Sequence, residues 1–124
     1  MFAGCSATAK IEDARKASET FHQNMSSGNY DVIYDSATKE FKAAGTRDQL
    51  VGFLKRVNRK MGTCTETTPG GWNINATTSG TFVTLGYTRN CANGKLEEQF
   101  IWKMENGKPM LQRYNANNPT LLTD

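Results

Sequence analysis

The residues able to do chemistry in this chain are few: one histidine, three cysteines, and a handful of acids close in sequence to tyrosines. His22 follows Phe21, and a lone imidazole so placed most often serves as a surface or partly buried structural residue. Asp31, Asp35, Glu97 and Glu98 are the carboxylates to weigh for acid–base work, with Tyr30 and Tyr34 as hydroxyl donors beside the first two. An Asp base with a Tyr donor is a workable proton-moving pair, yet no spacing singles these residues out. No hydroxyl or thiol nucleophile has an adjacent base, no phosphate loop is present, and no Cys/His spacing matches a zinc set. The expectation is a chain with no catalytic residue, no cofactor and no metal site.

The cysteines carry more information. Phe2-Ala3-Gly4-Cys5-Ser6 resembles a bacterial lipobox, in which small residues precede a cysteine that becomes the lipidated first residue. Phe2 stands where leucine is usual, and the sequence is expected to begin just inside a leader. With Cys5 assigned to lipid, Cys64 and Cys91 remain, and an even pair in an exported protein reads as a disulfide.

These residues must be positioned by the elements around them. From Ala7 to Ser27 the spacing of Ile11, Ala14, Ser18, Phe21 and Met25 makes one helical stripe, which Gly28 stops. Tyr30 to Asp35 suits a short second helix, and Ser36 is expected to cap a third running through Phe41. Thr46 and Gln49 form a capping box for a fourth helix, ended by Gly62, whose stripe is Leu50, Phe53, Leu54, Val57 and Met61. Lys55, Arg56, Arg59 and Lys60 lie on its sides and back. A solvated face explains them better than contact with nucleic acid or anionic lipid, because the net charge is only +3 and no aromatic residues interleave with them.

Beyond Gly62 the period changes from helical to alternating. Val83, Leu85, Tyr87, Arg89 and Cys91 share one strand face, as do Leu96, Glu98, Phe100, Trp102 and Met104. Asn93-Gly94 between them reads as a two-residue type I′ turn. That register sets Tyr87 opposite Phe100, Leu85 opposite Trp102, Val83 opposite Met104, and Arg89 opposite Glu98. Asn106-Gly107 supplies another such turn into a strand from Pro109 to about Tyr114. An earlier strand runs through Trp72 to Ala76 and turns at Thr78 to Gly80. Pairing about that turn brings Cys64 near Cys91, with a bulge expected at Pro69-Gly70-Gly71.

A chain of 124 residues with 37% apolar and 22% charged residues can afford a core, and no stretch approaches the ~18 apolar residues of a membrane helix. The order is helices and then a four-stranded antiparallel meander, an α+β roll in which the amphipathic helices cover the apolar sheet face. Residues 1–6 read as lipobox remnant and tether, and residues 7–124 as a single domain.

Helices first, then Gly62-Thr63-Cys64, then a meander containing Asn-Gly-Lys-Leu-Glu-Glu-Gln-Phe-Ile-Trp-Lys at 93–103, resembles small uncharacterised bacterial lipoproteins with a cystatin-like roll. The broader group is the nuclear transport factor two-like superfamily, whose members include isomerases, dehydratases, ligand-binding modules and interaction domains. The resemblance implies a cavity between sheet and helices and no particular chemistry. The function expected is a non-catalytic envelope lipoprotein domain that interacts with another protein, the alternative being a module that binds a small ligand in that cavity. Tyr87, Arg89, Glu98, Phe100 and Trp102 are its expected lining, with Arg89 and Glu98 paired at one end. The expected partners are a membrane, through lipid on Cys5, and an envelope protein or small ligand, with no nucleic acid. A homodimer through the sheet is compatible with the same layout. The expected location is the periplasmic side of the outer membrane or the cell surface.

Overall fold

A computed structural model describes residues 7–122, so the lipidation expected at Cys5 lies outside the described residues. Four helices, α1 (Ala7–Ser27), α2 (Tyr30–Asp35), α3 (Lys39–Ala43) and α4 (Arg47–Met61), precede four strands, β1 (Cys64–Thr77), β2 (Gly80–Cys91), β3 (Gly94–Glu105) and β4 (Lys108–Asn117), and a closing turn at Pro119–Leu122. The strands form one antiparallel meander in the order β1-β2-β3-β4, so the chain is an α+β fold with its helices at the N-terminus.

Local signals set the helices. On α1 the buried residues are Ala14, Ser18, Phe21 and Met25, the expected stripe. Gly28 ends it at a φ of 75°, a left-handed conformation that favours glycine. In α4 the capping box forms: the Thr46 hydroxyl accepts from the Gln49 amide and the Gln49 side chain accepts from the Thr46 amide. The buried face of α4 is Val51, Leu54, Val57 and Met61, a rotation from the expected stripe that leaves Phe53 39% exposed. The third helix starts after Thr38, whose hydroxyl accepts from the Phe41 amide, and not after Ser36. Ser36 is occupied elsewhere, donating to the Val32 carbonyl at the end of α2.

The sheet bears out the faces and corrects the register. Cys91 pairs with Gly94, so the turn is Ala92-Asn93 and every expected β2–β3 partner slips by two residues. Tyr87 faces Glu98, Leu85 faces Phe100, Val83 faces Trp102, and Arg89 faces Leu96; the expected Arg89–Glu98 pair does not form. The cause is α4. Asn93 donates through its side chain to the Lys60 carbonyl at 2.7 Å and through its amide to the Met61 carbonyl at 3.0 Å, so the turn satisfies carbonyls the helix leaves open. A slip of two keeps every side chain on its face, because the strand period is two. The Asn106-Gly107 turn forms as expected, with φ of 52° and 79°. So does the bulge in β1, where the register shifts between Pro69 and Trp72.

Two further register shifts, one between Cys64 and Glu66 in β1 and one in β4, have no signal in the sequence. Trp102 pairs with Leu111 and Ile101 with Arg113, which leaves Gln112 as the extra residue of β4. Its side-chain oxygen accepts from the Thr38 hydroxyl at 2.9 Å, tying the bulge to the start of α3. The extra residue shifts the alternation by one position, so Leu111 and Tyr114, three apart, both point into the core and are buried.

The inner sheet face packs on α1 and α4 in one cluster centred on Phe100, which is 0% exposed. Removing such a ring from water contributes about 1.5–3 kcal/mol. Phe21 of α1 meets Phe100 edge-on at 4.9 Å and Tyr114 at 4.6 Å, which aims the next residue, His22, at the same region of the sheet. Cys64 and Cys91 are disulfide-bonded, joining the start of β1 to the end of β2. Among the described residues no helix is long and apolar enough to cross a membrane.

Candidate functional site

Among the described residues Glu98 is the one charged residue that is buried, 4% exposed on a strand face otherwise occupied by Leu96, Phe100 and Trp102. A carboxylate so placed needs partners, since desolvation without them costs several kcal/mol. It has two. His22 Nε2 lies 2.7 Å from Oε1, and the Tyr114 hydroxyl donates to Oε2 at 2.6 Å. Against the carboxylate Nε2 is the donor, which places a proton on that nitrogen. Three elements thus converge on one group: α1 supplies the imidazole, β3 the carboxylate, and the bulged β4 the phenol.

Aromatic rings enclose this trio. His22 meets Tyr87 at 5.8 Å and Phe100 at 5.6 Å, each edge to face. The His22 side chain keeps 12% of its surface exposed against 1% for Glu98, so the imidazole is the member nearest solvent. Burial pushes the Tyr114 hydroxyl well above the ordinary tyrosine range; the charge of Glu98 and the hydrogen bond to it add to the effect, and Arg89 opposes it. Tyr114 is therefore a neutral donor to the carboxylate at physiological pH.

Two openings flank the trio. One cleft of about 330 Å³ lies between the ends of α1 and α4 and the sheet, lined by Met25, Val57, Met61, Arg89, Leu96 and Glu98 among others. The other, of about 380 Å³, lies between α1 and the β1–β2 pair and includes Arg15, His22, Tyr87 and Arg89. Arg89 lines both, and its Nε donates to Thr67 Oγ1 at 3.0 Å. Volumes of this size suit a small ligand.

The expected lining residues divide accordingly. Tyr87, Arg89 and Glu98 stand at the two clefts. Phe100 is enclosed in the core beneath them. Trp102 is 5% exposed, donates from its indole to the buried Ser18 hydroxyl at 3.0 Å, and borders a separate groove beside Phe21 and Leu111. The sequence left His22 and Tyr114 out of the site, although an acid on an apolar strand face already signalled that a partner was needed.

Asp31 and Asp35 take no part. Both are exposed and hold the guanidinium of Arg47, at 3.0 and 2.7 Å, which in turn lies over the Tyr34 ring. The Tyr30 hydroxyl accepts from the Asn58 side chain at 2.7 Å, a link between α2 and α4. Among the described residues no cluster of three or more His, Cys, Asp or Glu side chains could hold a metal ion. No protein family model matches the chain, and no curated protein matches it either.

Proposed function

We propose that this chain is a non-catalytic, exported module that binds a small molecule in the clefts between its helices and its sheet. The observation that carries this reading is the placement of Glu98: a buried carboxylate, hydrogen-bonded on both oxygens, in the wall of an opening. For stability alone an apolar residue of similar size would serve as well or better, so a charge kept there at this cost fits recognition of a polar group. A roll filled entirely by side chains would instead have favoured interaction with another protein. A fragment screen followed through backbone amide chemical shifts tests the reading. At least one fragment is expected to move the Tyr87, Arg89 and Leu96 amides saturably at millimolar concentration; a diverse library that leaves all three unmoved contradicts it.

Export is supported by the Cys64–Cys91 disulfide, which persists in oxidising compartments, and lipid anchoring by the Ala3-Gly4-Cys5 match. Cells expressing the full-length gene with labelled palmitate should tag the protein, and Cys5→Ser should abolish the tag. Equal labelling of that variant would exclude the anchor.

A further inference from the structure

The cleft between α1 and the β1–β2 pair is lined by an arginine that also carries a buried donor without a partner. Nη1 of Arg15 is buried and has no hydrogen-bond partner among the described residues. Guanidinium N–H groups are strong donors, and one removed from water without an acceptor is a rare arrangement in a folded chain. Across the same cleft stands Arg89, fixed in place by its Nε donation to Thr67. The nearby buried carboxylate does not answer either arginine at hydrogen-bond distance, since the contacts of its oxygens are His22 and Tyr114. The remaining acid of the cleft, Glu19, is exposed on the outer turn of α1. Tyr87 and Pro69 give the cleft an apolar wall beside these charges.

We infer that this cleft binds a small carboxylate on an apolar body, its oxygens taken by Arg15 and Arg89 and its body laid against Tyr87 and Pro69. The inference rests on the ligand-binding reading above and names the chemistry of the ligand. Guanidinium forks match planar carboxylates in geometry, and two of them lining one partly enclosed cleft can form charge-assisted bonds stronger than neutral ones. The ring beside them is suited to an aromatic or short aliphatic body.

The test uses the whole chain with three probes, sodium benzoate, benzamide and inorganic phosphate, each titrated while backbone amide shifts are followed. Benzoate is expected to move amides around Arg15–His22 on α1 and Tyr87–Arg89 on β2, saturably and at least tenfold more tightly than benzamide or phosphate. Arg15→Met is expected to weaken benzoate at least tenfold while raising the thermal unfolding midpoint of the free protein, because the stranded donor is gone. Arg89→Gln, which keeps a polar side chain beside Thr67, should weaken benzoate without lowering that midpoint by more than a few degrees. Equal binding of benzamide and benzoate would overturn the arginine clamp and leave the ligand-binding reading standing. Tighter phosphate than benzoate would overturn the carboxylate class. Unchanged benzoate affinity in Arg15→Met would overturn the role of Arg15, and no binding by any probe would overturn the inference as a whole.

Discussion

Alanine in place of His22 is expected to cost about 3–5 kcal/mol of folding stability, the penalty for leaving a buried charge without its partner. The size follows from position: the Glu98 side chain is 1% exposed and its Oε1 contact is the His22 nitrogen at 2.7 Å. Truncating His22 leaves Oε1 without its donor beside the Tyr87 and Phe100 rings that packed on the imidazole. Arg89→Ala is expected to cost under about 1 kcal/mol, because its hydrogen bond to Thr67 is exposed. The triple change His22→Leu, Glu98→Leu and Tyr114→Phe should recover most of the loss, because well-packed apolar groups replace the buried polar ones without stranding the Tyr114 hydroxyl. Urea unfolding with an unchanged slope reads all three variants. A loss for Arg89→Ala as large as for His22→Ala would mean that Glu98 is held by the arginine after all.

Loss of the Cys64–Cys91 bond is the second large effect. The bond closes a loop of sequence separation 27, for which the chain-entropy relation gives about 3.5 kcal/mol. The bond also pins the end of β2 where the Ala92-Asn93 turn meets the carbonyls of Met61 and Thr63, so its loss frees the contact that sets the β2–β3 register. The double variant Cys64→Ala, Cys91→Ala should lose roughly 3–4 kcal/mol and still fold, because Cys91 only borders the core cluster around Phe100. Non-reducing peptide mapping should find the two cysteines joined in the wild type. A stability loss below about 1 kcal/mol would show that the unfolded chain gains little freedom when the bond is removed.

The helices were legible because their ends are decided within a few residues: Thr46 and Gln49 cap each other, and Gly28 and Gly62 supply the left-handed exits. Strand faces were legible for the same reason, since alternation along Val83, Leu85 and Tyr87 is a property of one segment. Register was not. It depends on which carbonyls the hairpin turn can satisfy, and those belong to Lys60 and Met61, more than thirty residues before Asn93. The trio was half legible. Glu98 stood out as an acid among apolar neighbours, but its imidazole partner lies 76 residues away on α1, a separation that leaves no trace in local spacing. Tyr114 was hidden by the Gln112 bulge, since strict alternation from Leu111 would turn the tyrosine toward solvent.

The polar cleft wall depends on one hydrogen bond, from His22 on α1 to Glu98 on β3, and the imidazole nitrogens report it directly. In a long-range nitrogen–proton correlation spectrum of the labelled protein, His22 is expected to carry its proton on Nε2, with that proton visible and slow to exchange because it is held against the buried carboxylate. The same Nε2 signal should move when Glu98 is replaced by glutamine and stay in place when Arg89 is. A His22 ring protonated on Nδ1 alone, or an Nε2 signal indifferent to Glu98, would contradict the buried pair and the polar cleft wall built on it.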